Sequence, residues 1–221
     1  MKSFPPDFSA LTSFHDERNK SEVYFTSLIF HFMLAGASNN HGVAAMTSED
    51  HKNQHGKKLK IATAIFPGTA SLLNHSCNPN TSSLIQQDFQ IIYAAKTIQE
   101  GEEITDIYKC HFCETPLEIR QKAILDSYHF KCTCTACVEN YATFNELPED
   151  NFNDSDYDES HRNAMIAFNA LEYKEAAVHL AKSITIIGEK LTEPNKLMLK
   201  NRISFINCVE KYYGNKMYLP K

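Results

Sequence analysis

The sequence lacks the features that would direct it to a membrane or to nucleic acid. Its longest apolar stretch, residues 23–37, contains three polar residues and is shorter than the roughly 18–20 residues of a bilayer span. The first residues lack the apolar run of a secretory signal peptide. With a net charge of −5 and a pI near 6.1, the chain has no surplus of positive charge to attract nucleic acid. We therefore expect a soluble cytoplasmic and/or nuclear protein, with no membrane partner and no direct nucleic-acid binding.

Cysteine is absent before Cys77, although the chain has seven cysteines. Three of them, Cys132, Cys134 and Cys137, fall within six residues. An odd total and this tight spacing favour metal thiolates in a reducing compartment over disulfides. Three thiolates need a fourth ligand to complete a tetrahedral structural zinc site.

Local spacing offers one way to complete that site. Cys110-x-x-Cys113 and Cys134-x-x-Cys137 together have the arrangement of an ordinary zinc ribbon. This interpretation leaves Cys77 and Cys132 without a role. A second interpretation, which depends on a resemblance described below, uses Cys77 instead.

Hydrophobic periodicity predicts a mixed α and β chain. Residues 22–36 are apolar on most faces and predict a core helix, whereas the polar residues 39–56 predict an exposed loop. Four short β-like runs follow, with a turn at 86–88 between the middle two. These predicted strands are residues 60–66, 81–85, 89–95 and 104–108.

A helix is predicted to start after residue 114. Thr115 would cap it, Pro116 would occupy its first position, and Glu118 would complete a capping box. Leu117, Ile124 and Tyr128 would then share one face and deliver the chain to the cysteine cluster.

The C-terminal third is predicted to be helical and separate. Residues 146–159 hold seven acidic and no basic side chains, which indicates a solvated linker or boundary. Residues 170–177 resemble part of a tetratricopeptide-type hairpin. One repeat is too few for a stable solenoid, so we expect a truncated helical appendage.

Three motifs, taken in order, point to a known family. The first is Asn-His-Ser-Cys-Asn-Pro-Asn at residues 74–80, and the second is Gly-Glu-Glu-Ile at 101–104, running into Tyr108. The third is Tyr-x-Phe-x-Cys-x-Cys-x-x-Cys at residues 128–137. Over residues 58–138 the chain resembles the C-terminal half of a SET domain of the SET-and-MYND (SMYD) type. That family methylates protein lysines with S-adenosylmethionine.

The resemblance implies an α+β fold with small SET-type β-sheets, an inserted helical segment, a post-SET zinc site and a helical, TPR-like C-terminal region. The implied zinc ligands are Cys77, Cys132, Cys134 and Cys137, which would tie the cysteine cluster to the core. The predicted divisions are a loose lead-in at 1–20, a partial SET domain at 21–109, a post-SET segment at 110–145, an acidic linker at 146–160 and a helical region at 161–221.

The resemblance also implies roles for individual residues. Methyl transfer to an amine requires the donor and acceptor to be held in line, in a channel of hydroxyls and aromatic rings. Tyr108 matches the catalytic tyrosine, and Tyr128 matches an aromatic residue of the lysine channel. The implied cofactor contacts are Asn74, His75, Phe130 and, from a shorter match at residues 39–43, Asn39.

Glycine is scarce where the family needs it. The seven glycines form no Gly-x-Gly turn, and no cysteines precede Cys77 to form a MYND zinc finger. We therefore expect a truncated member lacking its N-terminal SET segment and MYND finger. The leading interpretation is an S-adenosylmethionine-dependent protein-lysine methyltransferase acting on a histone or non-histone protein. The alternative is an inactive, zinc-stabilised interaction module whose C-terminal helices bind partner peptides.

Overall fold

The computed structural model describes residues 17–46, 60–65, 69–86, 89–214 and 217–218. Most of the predicted lead-in, Phe66 and most of the predicted turn at 86–88 lie outside the described residues. None of the described helices is long and apolar enough to cross a membrane.

Helices and short strands alternate in the first half of the chain, and helices alone form most of the second half. The helices are α1 (Glu17–Ser38), α2 (Leu117–Tyr128), α3 (Thr135–Val138), α4 (Ser155–Asn169), α5 (Tyr173–Lys190) and α6 (Lys196–Tyr213), with a short 3-10 turn at Thr69–Leu72. The strands are β1 (Asn40–Met46), β2 (Lys60–Ile65), β3 (Asn74–His75), β4 (Thr81–Gln86), β5 (Phe89–Ala94), β6 (Thr105–Asp106) and β7 (Met217–Tyr218).

The described strands form three small sheets. One has the order β2-β1-β7, with β1 antiparallel to β2 and parallel to β7. In the second, β3 pairs in parallel with β6, so Asn74 lies opposite Thr105 and His75 opposite Asp106. The third is the antiparallel hairpin β4-β5. Small sheets among helices confirm the predicted α+β class.

Helix α1 forms, but its predicted place in the core is wrong. Seven large apolar side chains on it are each between 54% and 68% exposed: Tyr24, Phe25, Ile29, Phe30, Phe32, Met33 and Leu34. Because these residues surround the helix, no single face is defined for packing, and periodicity alone does not determine burial.

The predicted loop at 39–56 is wrong in its first part. Residues Asn40–Met46 form β1, which pairs with β2 along six residues. Pairing with a neighbouring strand supplies backbone hydrogen bonds that outweigh the weak strand preference of Asn, His and Gly. Residues 47–56 lie outside the described residues.

The predicted hairpin is confirmed, while the fourth strand is shorter than predicted. The hairpin pairs Thr81 with Ala94 at one end and Gln86 with Phe89 at the other. Strand β6 covers only Thr105–Asp106.

Helix α2 begins at Leu117, and the predicted capping box is absent. Pro116 occupies the N-cap position with φ −57° and ψ 154°, and no side chain caps the helix. The helix thus starts one residue later than predicted, and Thr115 lies outside the cap position. The predicted shared face is confirmed, because Ile124, Leu117 and Tyr128 all pack in one apolar cluster with the cysteines.

The last three helices form an antiparallel bundle. Asp154 caps α4 by accepting a hydrogen bond from Tyr157 N–H at 2.9 Å, and Asn195 caps α6 by accepting one from Met198 N–H at 2.7 Å. Helix α4 therefore begins inside the acidic stretch. Glu149, also in that stretch, pairs with Lys196 and Lys200 on α6 at 3.0 and 2.8 Å.

Helix α6 packs against residues of the β-sheet region, so the predicted helical appendage is in contact with the rest of the chain. Leu199 is buried in the same apolar cluster as Cys77 and Ile124. The Phe205 ring lies 6.0 Å from the Tyr93 ring of β5. One apolar core therefore spans the two regions, because sequence separation does not prevent a helix from completing a core.

Candidate functional site

Four cysteine sulfurs lie together where the strand β3 segment meets the short helix α3. The sulfurs of Cys77, Cys132, Cys134 and Cys137 all lie within 4.8 Å of one another. Cys77 is fully buried, and its Sγ is 3.5 Å from Sγ of Cys137. The structure thus brings Cys77 together with three cysteines that lie more than fifty residues later in the sequence.

Backbone hydrogen bonds fix Cys77 in this cluster. Its N–H donates to Sγ of Cys134 at 3.4 Å, and its carbonyl accepts from Phe112 N–H at 2.9 Å. Cys137 N–H donates to the Cys134 carbonyl at 2.8 Å, in the turn that opens α3. The strand segment and the α3 turn therefore present their sulfurs to one point.

The zinc-ribbon interpretation is wrong for this structure. Cys110 and Cys113 are described, yet neither belongs to the sulfur cluster. Cys113 packs at the edge of the apolar cluster, and burial raises the pKa of its thiol to about 11. In this structure its side chain packs beside the apolar cluster, outside the group of four sulfurs.

The four sulfurs match the demands of zinc. Tetrahedral zinc–thiolate bonds of about 2.3 Å place sulfurs roughly 3.8 Å apart, and these sulfurs need only small shifts to reach that spacing. Hydrogen bonds from the neighbouring thiols of Cys132 and Cys77 lower the pKa of Cys134, while the pKa values of Cys77 and Cys132 are raised. Four thiols this close cannot all ionise without a cation, which is the condition a metal satisfies.

His75 links this cluster to Tyr108. Its Nδ1 accepts a hydrogen bond from Tyr108 N–H at 3.0 Å, and its Nε2 lies 3.3 Å from Sγ of Cys77. A ring that accepts at Nδ1 carries its proton on Nε2, so it donates to the cysteine sulfur. Burial lowers the pKa of His75, which favours this neutral form.

Tyr108 follows the short strand β6 and is held at several points. Its hydroxyl donates to the Leu73 carbonyl at 2.5 Å, and its ring lies 5.3 Å from the His75 ring. Burial raises the pKa of Tyr108, with a further contribution from Tyr128, so the phenol is protonated at neutral pH. It is therefore a neutral hydroxyl of fixed position.

The other two aromatic residues lie beside this pair. The Tyr128 ring is 4.9 Å from the Tyr108 ring, and its hydroxyl donates to the Tyr108 carbonyl at 3.4 Å. The Phe130 ring is 6.3 Å from the His75 ring and is partly exposed. Both residues lie immediately before the cysteine cluster in sequence, so the chain that supplies three sulfurs also supplies these rings.

A cleft of about 640 Å³ runs beside these groups. Its lining includes Asn74, His75, Tyr108 and Phe130, together with Glu193 from the loop before α6. The cleft is lined by polar and apolar groups in similar proportion and lies within the size range of small-molecule sites.

Asn74 is placed at this cleft, whereas Asn39 is not among its lining residues. Asn74 Nδ2 donates to Glu103 Oε1 at 2.7 Å. Asn39 follows α1, and its side chain donates to the Ala35 carbonyl at 2.7 Å. The structure therefore brings together five of the predicted residue positions and leaves Asn39 with a local helix-terminal contact.

Sequence reasoning missed the part played by Asn80. Its Oδ1 accepts from Thr105 N–H at 2.9 Å, and its Nδ2 donates to the Glu103 carbonyl at 2.8 Å. These bonds hold the 74–80 segment against β6. The signal available in the sequence was the asparagine at the end of the first motif, since one asparagine side chain can both donate and accept hydrogen bonds.

Comparison with known proteins fits this arrangement. The SET domain family model matches residues 6–109. That match and the relatives found make the region similar to SET domains of the SET-and-MYND type. The protein-lysine N-methyltransferase SMYD4 of Homo sapiens is 37% identical over 99 residues, which cover 42% of this chain and 12% of that protein.

Two further relatives are also similar to parts of this chain. The histone-lysine N-methyltransferase SMYD3 of Homo sapiens is 35% identical over 78 residues, covering 35% of this chain and 18% of that protein. The N-lysine methyltransferase SMYD2 of Gallus gallus is 32% identical over 134 residues, covering 60% of this chain and 29% of that protein. The chain thus aligns with less than a third of the length of each of these relatives.

Proposed function

We propose that this SET-domain chain contributes the zinc-binding and catalytic part of an S-adenosylmethionine-dependent protein-lysine methyltransferase. The observation that carries the proposal is the convergence of Tyr108, His75 and Phe130 on one cleft, directly beside four clustered cysteine sulfurs. The names of the SMYD relatives support the same reaction class.

Zinc is proposed to assemble the cleft. The ligands would be Cys77, Cys132, Cys134 and Cys137, which form a closed, water-poor structural site. His75 donates to the sulfur of Cys77, as groups around a metal site commonly do to fix a ligand's orientation. Metal binding would therefore order Tyr108 through its backbone bond to His75.

Asn74, His75 and Phe130 are proposed to hold the cofactor. Phe130 offers a partly exposed aromatic face for an adenine ring, while Asn74 and the backbone beside His75 offer polar groups. When bound, S-adenosylmethionine would supply an electrophilic methyl group in line with a lysine amine. Asn39 remains a proposed contact at the end of α1, supported only by its short sequence match.

Tyr108 is proposed as the catalytic residue. Its protonated hydroxyl can orient a neutral amine without adding charge, and the Tyr128 ring beside it would line the path of the lysine side chain. These residues would position a lysine amine that has already lost its ammonium proton to solvent. The nitrogen would take the methyl group as the S–CH3 bond breaks, S-adenosylhomocysteine would be the leaving thioether, and the methylated amine would carry the positive charge. The proposed substrate is a protein lysine of a histone or non-histone protein.

Binding of S-adenosylhomocysteine, the product form of the cofactor, tests the proposal. Isothermal titration calorimetry on the zinc-loaded chain should detect binding, and Phe130→Ala should weaken it at least about tenfold because stacking area is lost. Glu118→Ala, an exposed change on α2, is the matched control and should bind normally.

A zinc-loaded chain that shows no affinity for S-adenosylhomocysteine would contradict the proposal. That result would favour the alternative, an inactive zinc-stabilised module that binds peptides at its C-terminal helices.

A further inference from the structure

A buried arginine on helix α6 contacts the segment that carries the predicted cofactor residues. Arg202 Nη1 donates to Asn78 Oδ1 at 2.7 Å, and Nη2 donates to the Pro79 carbonyl at 2.6 Å. Arg202 is only 4% exposed. Its planar guanidinium thus holds a side chain and a backbone carbonyl of residues 74–80 at once.

The loop before α6 holds the other side of the same asparagine. Glu193 Oε2 accepts from Asn78 Nδ2 at 2.5 Å and also pairs with Lys96 Nζ at 3.0 Å. Glu193 Oε1 lies 3.9 Å from Arg202 Nη1. The amide of Asn78 is therefore fixed at its oxygen by a cation and at its nitrogen by a carboxylate.

Packing on both sides of Arg202 fixes the position of helix α6. Leu199, three residues before Arg202, is buried in the apolar cluster that contains Cys77. Three residues after Arg202, Phe205 packs against the Tyr93 ring of β5. The arginine thus projects from a helix surface that is fixed on both sides along its length.

We propose that Arg202 and Glu193 are positioning residues that clamp Asn78-Pro79 and thereby hold the segment carrying Asn74, His75 and Cys77. Through this clamp, the helical region would help to position the residues of the candidate site. The expected effect on cofactor binding rests on the function proposed above, whereas the expected effect on the position of residues 74–80 does not. Glu193 also lines the cleft, so the helical region supplies part of its wall.

Hydrogen–deuterium exchange followed by mass spectrometry tests the clamp in the zinc-loaded full chain. Arg202→Met removes both charged hydrogen bonds but keeps most of the buried stem, and Glu193→Ala removes the opposite contact at a half-buried loop position. Exchange at Ser76–Asn78 should become about tenfold faster or more in each variant, because hydrogen bonds to charged groups in water-poor sites have effects of this size. Exchange within α4 and α5 should stay unchanged.

Matched controls separate the clamp from a general loss of charge. Arg162→Met on α4 and Glu189→Ala on α5 change exposed residues of the same types. Neither should alter exchange at Ser76–Asn78. Zinc content should remain that of the unmodified chain in both controls.

Unchanged exchange at Ser76–Asn78 in both clamp variants would overturn the proposal. If Arg202→Met loses the fold and speeds exchange throughout the chain, Glu193→Ala alone decides, since Glu193 is a loop residue outside the three apolar clusters. A second readout, S-adenosylhomocysteine affinity, should fall about tenfold in the clamp variants. If the unmodified chain binds none, the proposed function fails, and the exchange result still decides the clamp.

Discussion

At the scale of single residues, the site depends on groups that are neutral and fixed in place. Tyr108 is held by the Leu73 carbonyl, by His75 and by Tyr128, and burial keeps its phenol protonated. His75 is neutral and directs its Nε2–H to Cys77. Neutral groups suit a reaction in which a deprotonated amine must approach a cationic sulfonium without competing charge.

Replacing Tyr108 by phenylalanine tests its role directly. Tyr108→Phe keeps the ring contacts with His75 and Tyr128 but removes the hydroxyl, so we expect methyl transfer to fall by about 100-fold or more. Zinc content and S-adenosylhomocysteine affinity should be unchanged. Transfer of a radiolabelled methyl group to a lysine-containing protein measures the rate. Full turnover in this variant would show that the hydroxyl has no part in the reaction.

His111 should make stability depend on pH. Burial, and then the charge of Arg202, lower the pKa of His111 from its usual 6.5 to about 4, and its Nδ1 accepts from Cys113 N–H. Between these values the unfolded chain binds a proton that the folded chain excludes, so stability falls as pH drops from about 6.5 to about 4.

Urea unfolding of the native chain and of His111→Asn, followed from pH 7 to pH 4.5, measures this effect. The native chain should lose more stability over that window than the variant. Because acid also protonates the zinc ligands in both proteins, the difference between them is the relevant quantity. Equal losses would mean that His111 does not resist protonation in the folded state.

At the scale of elements, the sequence predicts those parts whose local pattern agrees with their packing. The hairpin β4-β5 and the apolar face of α2 followed from alternation and spacing, and both are present. The burial of α1 and the start of α2 were predicted wrongly. Burial depends on a partner surface that no local pattern encodes, and α2 starts after Pro116 at the N-cap position with no side-chain cap.

In the candidate site, too, some features could be predicted from the sequence and others could not. The cysteine set and the aromatic residues came from motifs whose spacing matches a known family, and the four sulfurs do meet. The contacts from Arg202 and Glu193 were not predictable, because they join residues more than a hundred positions apart. No periodicity connects such residues; only the folded path of α6 brings them together.

The helical bundle should owe much of its stability to one leucine. Leu180 on α5 is fully buried among Ala164, Ala176 and Cys208. Leu180→Ala should lower the free energy of unfolding by about 2–5 kcal/mol, because it removes buried area and leaves a cavity between small neighbours. Val178→Ala on the exposed side of the same helix should change it by less than about 0.5 kcal/mol. Chemical denaturation of both variants, with similar losses contradicting the packing, provides the comparison.

At the scale of the whole molecule, the 74–80 segment is where the cysteine cluster, strand β6 and helix α6 meet. Its Cys77 joins the cysteine cluster, its Asn80 bonds to β6, and its Asn78 contacts helix α6. A site assembled from distant parts of the chain is expected to form only when the whole chain folds. A metal that joins two of those parts would then stabilise the fold and the cleft together.

The zinc content of Cys77→Ser, measured by mass spectrometry of the purified metal-loaded protein, tests this account most directly. Cys113→Ser is the matched control, because that cysteine is partly buried nearby but lies outside the sulfur cluster. We predict about one zinc ion per chain in the native protein and in Cys113→Ser, and a large loss of zinc in Cys77→Ser. Full zinc content in Cys77→Ser, together with loss of zinc in Cys113→Ser, would contradict the account. That result would favour the zinc-ribbon interpretation, in which Cys110 and Cys113 are ligands.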